Sequence, residues 1–203
     1  MIVNKFLDYL FTSPSIIAVL RELDMRTVGI SGREISRLTN VTHKTALKAL
    51  DNLEALKLIK RNVVGKSYYF TLNREQFIYK NIISVVFKKE LEYKQKLIDN
   101  LKKLKSDNVV SLIIFGSVAR KEETYESDFD LCIVYQNRKN EIEGKIDVLQ
   151  SKLYEEFGIT LAPFYITEGD FKKKANTLKP PVNNILKEGN VIWGKSLNRI
   201  IHG

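Results

Sequence analysis

The run Val109-Val110-Ser111-Leu112-Ile113-Ile114-Phe115 is almost wholly apolar and ends on Gly116-Ser117. A run so short and so apolar predicts a buried strand. Ten residues after Ser117 comes Ser127-Asp128-Phe129-Asp130-Leu131-Cys132-Ile133-Val134, a second apolar strand that opens with two acids. Side chains alternate along a strand, so Asp128 and Asp130 point to one face. Carboxylates side by side repel each other, and burying them unpaired is costly. A cation between them removes that cost. Oxygen-only ligands with no histidine favour Mg²⁺ or Mn²⁺, which keep waters and take phosphate oxygens as remaining ligands. The Gly116-Ser117 turn offers backbone N–H groups and a hydroxyl to such a phosphate.

Gly116-Ser117, Ala119-Arg120 and Ser127-Asp128-Phe129-Asp130-Leu131 resemble the nucleotidyltransferase motif of the DNA polymerase beta superfamily. In spacing they are most similar to its small stand-alone enzymes, often found as antitoxins. The resemblance runs over residues 107–194, with residues 186–194 as the closing turn and strand. It implies a mixed sheet flanked by helices. It also implies Mg²⁺ (or Mn²⁺) as cofactor and an NTP as substrate or ligand. Gly116 and Ser117 would hold the triphosphate, and Asp128 and Asp130 would bind the metal ions and serve catalysis. Arg120 and Ser127 would support the nucleotide.

Two positions depart from that pattern. Lys121 stands where the family commonly has glycine, and a left-handed backbone there would strain a lysine. The family's third carboxylate, at the start of the next strand, falls on Ala162. That acid ordinarily completes the metal site and accepts the attacking hydroxyl's proton, which alanine cannot do. Glu168 or Asp170, from the following turn, are the available substitutes. The expected activity is nucleotidyl transfer to an unidentified acceptor: a protein, a tRNA end or a small molecule. The small size argues against a template-directed polymerase, for which little chain is left to form duplex and template channels. The alternatives are a transcriptional regulator whose degenerate domain senses nucleotide, and an antitoxin with a toxin partner.

The chain's charge is lopsided. Residues 1–75 carry 12 basic and 7 acidic side chains, residues 76–105 carry 8 and 3, and the rest 13 and 14. The net charge of +9 therefore comes from the first half, which points to a polyanionic partner there. Ser13-Pro14 and Ser31, the latter with Glu34 three residues on, mark helix starts. After Val41-Thr42, Ala46, Leu47, Leu50, Leu53, Leu56 and Leu58 recur at three- and four-residue steps. Residues 59–64 and 67–72 flank Gly65-Lys66 as a hairpin. This order resembles a winged helix-turn-helix, which implies duplex DNA in contact with Thr42, His43, Lys44, Thr45 and Lys48. Arg61 and Lys66 would be its wing contacts. Winged helices also serve as protein-docking or dimerisation modules, and a homodimer reading paired half-sites is the default expectation.

The expected organisation is α/β (α+β): a winged helix at 1–75, a connecting helix at 76–105 and a nucleotidyltransferase domain at 106–203. The connecting segment has no Pro or Gly and carries a broken apolar stripe, suited to a core-facing linker or a coiled coil. One cysteine excludes an intramolecular disulfide framework, and Cys132 is expected to be a small buried hydrophobe. Apolar runs such as residues 82–87 are far short of the ~18–20 residues that cross a membrane. No signal peptide is read at the N-terminus, so a cytoplasmic, membrane-free protein is expected. Lys172-Lys173-Lys174 reads as a solvated helix face, and Pro180-Pro181 as a separator between helices.

Overall fold

In the computed structural model, which describes residues 4–11 and 13–203, the mixed α/β chain divides between Glu92 and Tyr93. The first unit opens with a short helix α1 (Phe6–Leu10) and then α2 (Pro14–Asp24). Pro14 suits the first turn of α2, where a missing N–H leaves no helical bond unmade. Ile16, Val19, Leu20 and Leu23 follow at helical spacing and are all buried. A two-residue strand β1 (Ile30–Ser31) leads into α3 (Gly32–Thr39). The Ser31 hydroxyl accepts from the Glu34 N–H at 3.3 Å, satisfying one of the open amides of the first turn. Asn40, left-handed at φ 53°, stops α3.

Helix α4 (His43–Ala55) starts on Thr42, whose hydroxyl accepts from the Thr45 N–H at 3.2 Å. It buries Ala46, Ala49, Leu50 and Leu53. Leu47, on the expected stripe, is exposed, and Leu58 is buried beyond the helix end. Strands β2 (Ile59–Val64) and β3 (Ser67–Leu72) pair antiparallel around Gly65-Lys66, and β3 also pairs with β1, giving the order β1-β3-β2. Arg74 fastens the end of the hairpin to the end of α2. Its guanidinium donates to the Tyr79 hydroxyl and to the carbonyls of Asp24 and Arg26. The Tyr79 hydroxyl donates to Asp24, and burial together with that carboxylate pushes the phenol up to about 12.

The segment 76–105 is helical in three styles: a π turn at Tyr79–Ile83, then α5 (Ser84–Leu101), then a 3₁₀ turn at Lys102–Leu104. Tyr79, Ile83 and Phe87 lie in the core of the first unit, whereas Leu97, Leu101 and Leu104 lie in that of the second. The broken stripe is therefore two core-facing stripes.

The second unit is built on a four-stranded sheet in the order β6-β5-β4-β7. The expected buried runs form β4 (Val109–Ile114) and β5 (Phe129–Tyr135), which pair antiparallel. A five-residue helix α6 (Gly116–Arg120) follows β4. Helix α7 (Lys139–Phe157) carries the chain from β5 to its parallel neighbour β6 (Leu161–Thr167). Pro163 is tolerated in β6 because β6 is an edge strand. Then come α8 (Glu168–Asn176), α9 (Val182–Glu188), β7 (Asn190–Gly194) and α10 (Leu197–His202).

Strand alternation sends side chains to two cores. Leu112, Leu131 and Ile133 meet Ile142, Ile146 and Leu153 of α7 on one face. Ile113, Cys132 and Val134 meet Phe171, Val182, Ile185 and Ile200 of the last three helices on the other. Burial pushes the Cys132 thiol up, as a core role requires. Asp130, two residues before Cys132, begins this second face at the end of the strand.

Candidate functional site

The structure brings the glycine turn against the acid-bearing strand. The Phe115 N–H donates to the Asp130 carbonyl at 3.2 Å. Gly116 then turns through φ +71°, and a Cβ built on it would lie 2.0 Å from Asp130 Oδ2. Only glycine permits this conformation and this approach at once. Asp128 precedes β5 by one residue and is exposed, while Asp130 is half-buried. Burial first, then the Asp128 charge, raises the Asp130 carboxyl above its ordinary range; Glu188 adds to this and Arg120 opposes it. Asp130 thus faces two carboxylates, Asp128 and Glu188, against one guanidinium, Arg120, and the donor atoms it and Asp128 offer are carboxylate oxygens. Both features fit a hard divalent cation. Among the described residues, no group of three or more His, Cys, Asp or Glu side chains gathers for a metal ion. Asp128 and Asp130 would hold the ion as a pair, leaving its other positions to waters and phosphate.

Glu188, which the sequence reading did not select, sits at the centre of this arrangement. It ends α9, and its Oε1 accepts from the Gly116 N–H at 3.1 Å and from Arg120 Nη1 at 2.8 Å. Arg120 Nε also donates to Glu122 Oε2 at 2.8 Å. These bonds to Glu122 and Glu188 raise the guanidinium's pKa. The signal in the sequence was slight: an acid directly before Gly189 in the closing turn.

The Ser127 hydroxyl accepts from the Thr124 N–H at 3.0 Å, bracing the loop that leads to Asp128. Ser117 is half-buried in the first turn of α6. Lys121 is left-handed at φ +60°, the conformation for which glycine was expected. Ala162 pairs in register with Asp130, directly beside the acid. Neither proposed substitute reaches that place. Glu168 follows the far end of β6, six residues and about 20 Å along the strand direction, and is bonded to Lys195. Asp170 closes the N-terminal turn of α8 against Thr167. Of the three lysines on α8, Lys174 is only partly exposed and stands 5.9 Å over the Phe164 ring.

In the first unit, the expected α4 residues flank two clefts. One, of about 460 Å³, is lined by Lys44, Thr45, Lys48 and Asn52 together with Ser13 and Ser15. The other, of about 550 Å³, gathers His43, Lys66, Arg33 and Tyr68. Thr42 and Thr45 also join hydroxyls at 2.8 Å. Lys44, Lys48 and Lys66 are exposed. Arg61, the other expected wing contact, lines the second cleft with Lys66. It is tied to Asp51 at 2.6 Å and to Glu54, both on α4, and lies over the Tyr68 and Phe70 rings. These partly exposed ion pairs fix β2 to α4.

Residues 94–189, within the second unit, match the family model described as nucleotidyltransferase domain. Two solved structures are similar at low identity. A toxin–antitoxin complex with AMP-PNP is 13% identical, with a TM-score of 0.36 over 51% of this chain and 80% of its own. A mutant of the toxin–antitoxin MntA-HpeT is 12% identical, with a TM-score of 0.35 over 53% of this chain and 79% of its own. No curated protein sequence matches significantly. Among the described residues, no helix is long and apolar enough to cross a membrane.

Proposed function

We propose that the second unit binds a Mg²⁺–NTP complex and transfers its nucleotidyl group to an acceptor, and that the first unit is a winged helix that binds duplex DNA. The carrying observation is the contact of the Gly116 turn with Asp130, which leaves no room for a side chain between phosphate turn and acid. Asp128 and Asp130 would hold the ion, and Gly116, Ser117 and Arg120 would take the phosphates. When bound, the ion neutralises the phosphate oxygens and polarises the phosphorus under attack. The helix–strand–helix–helix–hairpin order of the first unit supports the DNA reading, as do the exposed Lys44, Lys48 and Lys66.

Ala162 favours a second reading. With alanine beside Asp130, no side chain there can take the acceptor's proton. General-base assistance is worth about 10²–10⁴ in rate, so transfer would be slow. A nucleotide-sensing regulator of DNA binding has no such requirement. Incubation of the full chain with labelled ATP or CTP, Mg²⁺ and cell extract separates the two. Label on a macromolecule supports transfer. Tight Mg²⁺–NTP binding with no label supports the sensor, and absence of both refutes the shared nucleotide site.

A further inference from the structure

Glu188 stands on donors that the nucleotide reading assigns to phosphate. Its Oε1 takes the Gly116 N–H at 3.1 Å and Arg120 Nη1 at 2.8 Å. The Glu188 side chain is 19% exposed, so it is sheltered without being fully buried. It also adds negative charge beside Asp130, where Asp128 already repels. A carboxylate oxygen accepts from an amide and a guanidinium much as a phosphate oxygen does. One N–H gives its full strength to one acceptor, so a phosphate using Gly116 must take it from Glu188.

Resting on the nucleotide-site reading, we infer that Glu188 is an internal stand-in for a phosphate group and sets the affinity and selectivity of the site. An incoming polyphosphate displaces it from Gly116 and Arg120. The departing carboxylate leaves a place where it would otherwise face both the ligand's charge and Asp130. Its position as the last residue of α9, followed by Gly189, puts it at the end of the helix. A ligand with a single phosphoryl group recovers little of what the displaced contacts supplied. A triphosphate with its metal ion on Asp128 and Asp130 recovers more. Glu188 thereby selects for dense, metal-bound polyphosphate.

Calorimetric titration of the full chain with Mg²⁺–tripolyphosphate and Mg²⁺–AMP-PNP tests this. Glu188→Gln and Glu188→Ala should each bind both ligands tighter than the wild type by about tenfold, the scale of a lost charge-assisted competitor. Uptake by these variants where the wild type shows none supports the same conclusion. Unchanged or weaker affinity, in variants that melt like the wild type, overturns it and leaves Glu188 a brace of the turn. A measurement without substitution follows the ¹³C signal of the Glu188 carboxyl in the wild-type chain. Displacement moves it when Mg²⁺–tripolyphosphate is added, whereas a static signal with ligand bound overturns the proposal. If neither wild type nor variants take up either ligand, the nucleotide site itself is refuted, and this inference with it. Uptake that Asp130→Asn abolishes but Glu188→Gln leaves unchanged refutes the inference alone.

Discussion

Two regions of this chain were expected to meet phosphate, and they are prepared in opposite ways. On α4 and the hairpin tip, Lys44, Lys48 and Lys66 are exposed, and the one basic side chain drawn inward, Arg61, is neutralised by Asp51 and Glu54. In the second unit, the turn amide and Arg120 are already covered by Glu188. The difference would suit the two ligands proposed above. A duplex presents many phosphates, each bound weakly, and exposed flexible lysines suit summed long-range attraction. A single triphosphate must be recognised at one point, and fixed donors held by an internal anion suit exchange.

The largest expected effect concerns Ala162, where the resemblance implies an acid. Ala162→Asp places a carboxylate in register with Asp130. If transfer is limited by proton removal, labelling should rise by about 10²–10⁴. An unchanged rate in a variant that still binds Mg²⁺–NTP would leave the second unit a sensor. Next, Asp130→Ala or Gly116→Ala should weaken Mg²⁺–NTP binding by about a hundredfold or more in calorimetry. The first removes an ion ligand, and the second drives a methyl group into the Asp130 carboxylate. Retained affinity in either would break the geometric basis of the site.

Smaller effects sharpen the other half of the comparison. Lys44→Ala with Lys48→Ala should weaken duplex binding and reduce the slope of log affinity against log salt by about two. Arg61→Ala should instead cost about 1 kcal/mol of stability, read from denaturant midpoints, because its charge is paired within the fold. A change in salt slope without a change in stability would restore Arg61 as a phosphate contact.

The pH prediction follows from Asp130. Its folded-state pKa is raised, chiefly by burial and then by Asp128, so the folded protein binds the proton more readily than the unfolded chain. Ionisation therefore lowers stability as pH rises through the raised value. Asp130→Asn should raise the melting temperature at neutral pH. That gain should fade as pH falls through the raised value toward the ordinary carboxylate range. Mg²⁺ should stabilise the wild type more than this variant. Smallest of all, Lys121→Gly relieves a left-handed lysine and should stabilise by about 0.5–1 kcal/mol, the left-handed penalty less the entropy of glycine.

How much of this was readable in the chain depends on range. Helix starts at Ser31 and Thr42, the hairpin about Gly65-Lys66 and the apolar strands around Gly116 and Asp130 were legible because each is set by a few neighbouring residues. The left-handed turn at Lys121 was legible only through the resemblance, which has glycine there. The stripe on 76–105 was visible, but its division between two cores was not, because periodicity gives a buried face and not the partner.

Apolar patterning and turn chemistry are short-range rules, so the order of residues was enough to set Asp130 on a strand beside a glycine turn, although Asp128, expected on the same strand, falls just before it. Glu188 lies 72 residues from Gly116, and it arrives there because α9 packs on the Ile113–Cys132 face and β7 pairs with β4. Arg61 turns inward because the hairpin lies against α4, where Asp51 and Glu54 wait ten and seven residues upstream. Spacing cannot encode such meetings. They depend on which buried faces pack together, and that is settled by the summed burial of many side chains.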